Sequence, residues 1–249
     1  MKFSRRLLTA SVVASLSLGL AACDDETDPE AALEGEPIEA IAAPDGASWL
    51  DTTTVSDSNG FVLGNPDAPI KLIEYASHTC GGCAAFSQAA VEPLKEKYIS
   101  TGVVSYELRN LVRDPVDLTI ATLVRCGAPE SMQPLSDQAW ADFDSVMGNV
   151  QAGAQTLQDV DSLPMDQRFV AIAQGTGLID FFAARGLSAD QAKTCLSNTE
   201  TIEAISKRSS DQAKELGVNS TPSFFLNGNS IGNQSWGSLE PMLQRAGAR

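Results

Sequence analysis

The sequence predicts an α/β fold that carries a large helical block. Two β-prone runs, 70–75 and 103–108, flank a stretch of helical composition at 84–98. The short joints between these elements indicate a βαβ unit, in which parallel strands are buried on both faces. The residues at 115–198 are predominantly helical in pattern, and 224–228 ends in the Asn-Gly pair that is typical of a hairpin. The predicted order is therefore βαβ, a helical block, a helix, a hairpin and a closing helix.

Each strand and helix of the α/β part is predicted from residues in or next to it. The first strand follows the turn-forming residues 64–69, and the second follows Gly102. Pro93 is expected to kink the helix between them, because proline removes a backbone donor. A helix is predicted at 200–216, ahead of the hairpin, and an amphipathic segment at 238–245 closes the chain.

Helix signals within the block are also local. Ser136 is expected to cap a helix whose apolar face includes Trp140. Ser188 and Gln191 have the spacing of a capping box, which would open a helix carrying Cys195. We interpret the apolar stripes of these helices as core.

Composition and charge exclude several classes of protein. The chain has 249 residues, of which 43% are hydrophobic and 20% charged, which excludes wholesale disorder and fits one compact domain with appendages. The net charge of −15 argues against nucleic acid as the main partner, because phosphate binding needs a basic face. A single histidine makes a His-rich zinc centre improbable.

The N-terminus has the layout of an exported lipoprotein. Residues 1–22 combine a cationic start with an apolar run that is too short to span a bilayer, as in a signal peptide. Ala21-Ala22-Cys23 resembles the bacterial lipobox, which predicts lipidation of Cys23. Asp24 resembles an inner-membrane retention signal. The alternative is ordinary cleavage with Cys23 as a bystander.

An acidic segment follows at 23–60. Residues 24–70 hold 12 acidic residues and no Lys or Arg. This composition predicts a disordered, self-repelling tether between membrane and domain, along which Trp49 is expected to pack onto the domain edge.

The sharpest chemical signal is Cys80-Gly-Gly-Cys83 directly after a predicted strand. Cys80 should lie at a helix N-terminus, where free N–H groups and the helix dipole lower the pKa of its thiol. The resulting thiolate can attack a disulfide, and Cys83 can resolve the mixed disulfide. The alternatives are a structural disulfide, or a zinc site that would need ligands from Cys126, Cys195 and His78.

Three parts of the sequence together resemble one family. They are the segment 61–75 leading into the two cysteines, Phe86 three residues after Cys83, and the segment 217–228. This family is the DsbA-like thiol-disulfide oxidoreductases, especially exported ones from alphaproteobacteria. The resemblance implies a thioredoxin fold with an inserted all-helical domain. The thioredoxin part would comprise 61–114 and 199–249, and the insertion 115–198.

The resemblance also implies roles for single residues. Cys80 matches the attacking cysteine and Cys83 the resolving one. Pro222 matches the cis-proline that faces the active site, and Thr221 the position that tunes the thiolate. Glu74 matches a buried acid that shuttles a proton for the resolving thiol; the alternative is an acid at a strand end that reaches solvent.

The sequence departs from the family immediately before the second cysteine, where Gly82 replaces the usual histidine. The family histidine stabilises the thiolate, so we expect a weaker oxidant. Two interpretations of His78 stay open: it compensates by pointing at the Cys80 sulfur, or it is exposed and has no role.

Cys126 and Cys195, on predicted helices of the insertion, are predicted to bond to each other, as some DsbA-like proteins have a second, non-catalytic disulfide in that domain. A second redox pair is the alternative. The disulfide would close a loop of about 70 residues, which corresponds to roughly 4 kcal/mol.

These observations predict a periplasmic, lipid-anchored enzyme that exchanges thiols and disulfides on exported proteins. The first choice is oxidation of substrate dithiols. The alternatives are isomerisation or reduction, or a redox-inert binding lipoprotein that presents the Pro222 loop. We expect no cofactor besides the Cys80–Cys83 pair, no metal, and an unidentified membrane redox partner.

Overall fold

A computed structural model describes residues 34–249 of the chain. The predicted signal peptide at 1–22 and the predicted lipidation site, Cys23, lie outside the described residues. The strands are β1 (Thr53–Val55), β2 (Phe61–Leu63), β3 (Ile70–Ala76), β4 (Val104–Asn110), β5 (Ser223–Leu226) and β6 (Asn229–Gly232). The α-helices are α1 (Gly81–Lys97), α2 (Pro115–Val124), α3 (Met132–Ala141), α4 (Phe143–Ala152), α5 (Ala154–Asp159), α6 (Met165–Gly175), α7 (Leu178–Ala183), α8 (Ala189–Leu196), α9 (Thr199–Leu216) and α10 (Trp236–Arg245).

The described strands form one mixed sheet in the order β1-β2-β4-β3-β5-β6. Strands β3 and β4 are parallel and joined through α1, which confirms the predicted βαβ unit. Their register pairs Ala76 with Asn110, so the two strands end together. All other strand pairs in this sheet are antiparallel. The loop that joins β3 to α1 therefore lies at the edge where the parallel strands end.

Alternating side chains of β3 point to opposite faces of the sheet. Leu72 belongs to the main core, which also includes Phe86 of α1 and Leu239 of α10. Tyr75 packs in a separate cluster on the other face, against Ala213 of α9. Both faces are thus covered, as expected for a sheet with a parallel centre. Pro93 lies inside α1, which continues to Lys97.

The predicted hairpin is present. Asn227 and Gly228 connect β5 to β6 with positive φ angles of 50° and 83°, the combination that favours Asn-Gly in two-residue turns. The side-chain oxygen of Asn227 also accepts a hydrogen bond from the Lys71 backbone N–H, 2.8 Å away. The turn is thereby fixed to the start of β3.

The prediction of a disordered tether up to residue 60 is wrong for its described part. Thr53–Val55 forms the edge strand β1, because its β-branched residues pair with β2. Further upstream, the Gly35 N–H donates to the Arg245 carbonyl, and the Ile41 N–H donates to the Thr101 carbonyl. Trp49 donates its indole N–H to Ile41, so this aromatic residue helps to hold the segment. The domain therefore begins well before residue 61.

The helical block is an insertion of α2 to α8 between β4 and α9. The capping box of Ser188 and Gln191 is present at the start of α8. Ser136 does not cap a helix as predicted: it lies inside α3 and is fully buried, because the helix begins four residues earlier, at Met132. In residues 34–249, no helix is long and apolar enough to cross a bilayer.

Candidate active site

The two cysteines of the Cys-Gly-Gly-Cys segment lie at the N-terminus of α1, just beyond the end of β3. Cys80 is the N-cap residue, with extended backbone angles, and Cys83 lies in the first turn. Both thiols are free and buried in this structure. Because the first N–H groups of a helix have no intrahelical acceptor, this position favours a negatively charged sulfur.

The Cys80 sulfur is surrounded by hydrogen-bonding groups. It accepts from the Cys83 N–H at 3.4 Å and lies 3.3 Å from the Thr221 carbonyl oxygen, to which the protonated thiol donates. The pKa of Cys80 is lowered to about 5, chiefly by a hydrogen bond from the Cys83 thiol, with the backbone N–H groups of Cys83 and Gly82 contributing. Burial opposes this shift. Near neutral pH, Cys80 is therefore a thiolate.

Cys83 has the opposite electrostatic setting. Its side chain is completely buried, and its pKa is raised well above the usual value by the hydrogen bond it gives to Cys80, by burial and by the charge of Glu74. The pair is therefore asymmetric: one sulfur is ready to react, and the other holds its proton.

The second motif lies at the same place, since the Thr221 carbonyl oxygen is next to the Cys80 sulfur, and its Thr221–Pro222 peptide bond is cis. The Pro222 carbonyl accepts a hydrogen bond of 3.0 Å from the Asn233 side chain, which ties this loop to the end of the hairpin. The Thr221 hydroxyl is buried and has no hydrogen-bond partner among the described residues. A Cβ atom at Gly82 would lie 3.2 Å from Pro222 Cδ and 3.7 Å from the Cys80 sulfur, so the missing histidine side chain leaves this cleft open.

Glu74 is buried beneath the dithiol, with 1% of its surface exposed. The alternative of an acid that reaches solvent is therefore wrong. The Tyr106 hydroxyl donates to Glu74 Oε2 at 2.6 Å, and Oε1 has no partner among the described residues. Burial raises the pKa of this carboxyl to about 8, partly offset by the Tyr106 hydrogen bond. Glu74 thus holds a proton at neutral pH and can release it just above.

Neither interpretation of His78 matches the structure. The residue is 1% exposed, so it is not a solvent-facing bystander. In the described chain its ring stacks on Trp140 at 4.8 Å between centroids, and Nε2 is 3.0 Å from Ser136 Oγ. Its backbone N–H donates to Asp117 at 2.8 Å. These contacts are with the insertion rather than with the Cys80 sulfur, because the ring points into the interface with α2 and α3.

Cys126 and Cys195 are joined in a disulfide, with their Cα atoms 5.9 Å apart. It links the residue after the C-cap of α2 to α8. The zinc alternative for the Cys80–Cys83 pair required these same cysteines, which the disulfide removes as ligands. No group of three or more His, Cys, Asp or Glu in residues 34–249 has the arrangement of a metal site.

Several residues around the site were missed at the level of sequence. From the sequence, Tyr106 of β4 and Trp140 of α3 could not be distinguished from ordinary core residues. In the structure, Tyr106 donates a hydrogen bond to the buried acid Glu74, and Trp140 donates its indole N–H to the Ser77 carbonyl at 3.2 Å. Asp117 was also missed. Its place three residues after the N-cap Asp114 was an available signal of a buried polar helix start.

This fold and a dithiol opposite a cis-proline define a thioredoxin-fold protein with an inserted helical domain. The family model described as Thioredoxin matches residues 56–245. A crystal structure of a protein-disulfide isomerase from Novosphingobium aromaticivorans is 30% identical, with a TM-score of 0.67, over 74% of this chain and 94% of that one. The alpha-DsbA1 structure from Wolbachia pipientis, at 24% identity and a TM-score of 0.60 over 76% of this chain and 90% of that one, shares the fold.

A Rickettsia typhi protein, provisionally named a protein-disulfide oxidoreductase, is 28% identical over 76% of this chain. The match spans 63% of that protein's length, and related Rickettsia proteins are covered to a similar extent. The chain belongs to the DsbA-like thioredoxin-fold family.

Proposed function

We propose that this protein is a thiol-disulfide oxidoreductase that oxidises dithiols of exported proteins through Cys80 and Cys83. The observation that carries the proposal is the position of the Cys80 sulfur at the start of α1, where it accepts a hydrogen bond from the Cys83 N–H. A sulfur stabilised as thiolate is a good leaving group, so the reduced protein is favoured and the disulfide form is oxidising.

The proposed cycle starts from the Cys80–Cys83 disulfide. A substrate thiolate attacks Cys80, the sulfur–sulfur bond breaks, and Cys83 leaves with the electron pair. Glu74, protonated at neutral pH, supplies the proton that Cys83 takes up. The second substrate thiolate then attacks the substrate sulfur of the mixed disulfide and releases Cys80 as thiolate. The substrate loses two electrons, which the dithiol later passes to an oxidised membrane partner, so the reaction needs no other cofactor.

Substrate contact would occur beside Thr221 and Pro222, next to the reactive sulfur. His78 we assign as a positioning residue: through Trp140 and Asp117 it holds the Ser77–Cys80 loop against the insertion.

We further propose export by the signal peptide and attachment to a bacterial membrane, with the inner membrane favoured, through lipid on Cys23. The lipobox-like sequence supports this proposal, and mass measurement of the mature N-terminus, wild type against Cys23→Ser, tests it.

Isomerisation is the second candidate, favoured by the name of the Novosphingobium relative. Oxidative refolding of a reduced protein, insulin reduction and repair of a scrambled substrate distinguish the activities. We expect oxidative refolding to be fastest and to disappear in Cys80→Ser. Faster repair than oxidation would favour the isomerase, and faster insulin reduction a reductase. No turnover in any assay would favour a redox-inert scaffold that presents the Pro222 loop.

A further inference from the structure

A small arginine-lined pocket lies between the end of β4 and α9, and none of its lining residues belongs to the dithiol site. Its walls include Asn59 in the loop before β2, Asn110 at the end of β4, Arg125 after α2 and Arg208 on α9. The space available to the centre of a water-sized particle is about 10 Å³, which is room for one such particle.

The charge in this pocket is not balanced within the described chain. Arg109, on its wall, is paired with Glu107 at 2.7 Å, but neither Arg125 nor Arg208 forms an ion pair with any carboxylate in residues 34–249. Burial and the charge of Arg208 lower the pKa of Arg125 to about 10. Two partly buried guanidinium groups thus face one small space without an anionic partner.

The hydrogen bonds of these arginines are all to neutral acceptors. Arg125 donates to the Asn110 side-chain oxygen at 2.8 Å and to the Asn59 carbonyl at 3.1 Å. When the Asn59 side-chain amide is oriented so that both its oxygen and its nitrogen have suitable partners, the oxygen accepts a hydrogen bond from Arg208. Amide oxygens carry only partial charge, so they leave most of the positive potential in place.

Asn110 indicates a bound ligand independently of the arginine charges. It is 6% exposed, its oxygen is occupied by Arg125, and its Nδ2 group is buried without a partner among the described residues. A buried N–H donor without an acceptor loses the hydrogen bond that it makes in water, so such groups normally meet water or an ion. Since Asn110 lines the same pocket as Arg125 and Arg208, whose charges are unbalanced, an anion fits better than water as the partner of this donor.

We propose that this pocket binds one monatomic, monovalent anion of about the size of chloride. Arg125, Arg208 and the Asn110 amide N–H would be its donors. The small space is the reason for a monatomic ion, because carboxylate, phosphate and sulfate need room for several heavy atoms. The ion would link the end of α2, β4 and α9, and it would stabilise the fold without taking part in thiol exchange.

The test measures thermal unfolding of the full chain at constant ionic strength, with chloride replacing the large anion gluconate. We expect the Tm to rise by about 2–5 °C as chloride increases to about 0.2 M. Line broadening of the chloride-35 NMR signal provides a direct measure of exchange with the site. Arg208→Gln should abolish both responses. The control Lys207→Gln removes the neighbouring exposed charge and should keep both.

Asn110→Asp gives a second, opposite test. It places a carboxylate oxygen where the unpaired amide nitrogen lies, so an internal charge replaces the ion. We expect this variant to lose the chloride response while its Tm without chloride is at or above the wild-type value. The proposal is overturned if the wild type shows no chloride response, if Arg208→Gln keeps it, or if Lys207→Gln loses it equally. Equal stabilisation by sulfate and chloride would also overturn it, because a monatomic site excludes sulfate.

Discussion

The Tyr106 hydroxyl donates a 2.6 Å hydrogen bond to the carboxylate of Glu74 in a space closed to solvent. The two residues lie on the neighbouring parallel strands β3 and β4 and make a diagonal contact, because Tyr106 is paired with Leu72 and Glu74 with Leu108. Burial disfavours the charged carboxylate, whereas the hydrogen bond from Tyr106 favours it. The balance of these two effects gives Glu74 a pKa of about 8, close to the pH of the proton transfer that we propose for it.

Replacing Glu74 by Gln should stabilise the protein at neutral and alkaline pH. The pKa of the carboxyl rises from 4.5 to about 8 on folding, so the folded state binds more protons than the unfolded chain between these values. Wild-type stability therefore falls as the pH rises through this window. We expect Glu74→Gln to be more stable by roughly 3 kcal/mol at pH 7 and equally stable below about pH 4.5. Urea unfolding across pH measures the difference, and parallel curves for the two proteins would contradict the assignment. In Tyr106→Phe, which loses the opposing hydrogen bond, the fall should extend to higher pH.

The thiolate at Cys80 should depend on the donor at position 83. We expect absorbance titration of the reduced wild type to give a midpoint near pH 5. Cys83→Ala should raise it by about one unit or more, because the hydrogen bond from the Cys83 thiol is the largest favourable contribution. Cys83→Ser retains an O–H donor and should stay nearer the wild type. A midpoint near 9 in all three proteins would show that Cys80 is not activated.

His78→Ala should cost stability and leave the Cys80 thiolate largely unchanged. The ring is buried against Trp140 and Ser136, so its removal opens a cavity and should cost roughly 2–4 kcal/mol. Ser136→Ala, which removes only a hydrogen bond, should cost about 1 kcal/mol. Denaturant unfolding and thiolate titration together separate the two effects. A large rise in the Cys80 pKa without a loss of stability would restore a direct role at the sulfur.

Gly82→His should make the protein a stronger oxidant. A side chain at this position points toward the Cys80 sulfur and Pro222, where an imidazolium stabilises the thiolate. Each unit by which the Cys80 pKa falls corresponds to a rise of about 30 mV in the reduction potential. Gly82→Ala is the matched control, since it adds only the Cβ, 3.2 Å from Pro222 Cδ. Equilibration with glutathione mixtures measures all three potentials, and identical shifts for Ala and His would point to crowding instead of charge.

The double variant Cys126→Ser, Cys195→Ser should lose stability but keep its thiol chemistry. The disulfide closes a sequence separation of 69 residues, for which the chain-entropy model gives roughly 4 kcal/mol. Unfolding at equilibrium tests the magnitude, and alkylation of Cys80 tests the independence of the two cysteine pairs. A changed alkylation rate would mean that the insertion disulfide is coupled to the active site.

Local patterns in the sequence predicted the elements whose signals are short. The βαβ unit, the Asn227-Gly228 turn and the Ser188 capping box depend on neighbouring residues, and all three are present. The order of the six strands in residues 34–249 depends on pairings between distant segments, and no local pattern contained it.

The errors have a common physical origin. The composition before residue 60 predicted disorder because it offers few apolar side chains to bury. The segment is instead held by backbone hydrogen bonds to Arg245 and Thr101, which do not require apolar side chains. For His78, spacing from Cys80 could not reveal the ring direction, because that is set by Trp140, which lies in another part of the sequence. Polar contacts between distant segments were invisible for the same reason.

The hydrogen bond from Gly35 to Arg245 places the two ends of the described chain side by side. A short peptide linker between them would therefore not distort the sheet, and new termini could be opened at Gly186, an insertion turn where an added Cβ atom would meet no other atom within 4 Å. Such a circular permutant would keep the βαβ unit and the cis-proline loop intact. It would also place the new N-terminus in the helical insertion instead of beside the end of α10.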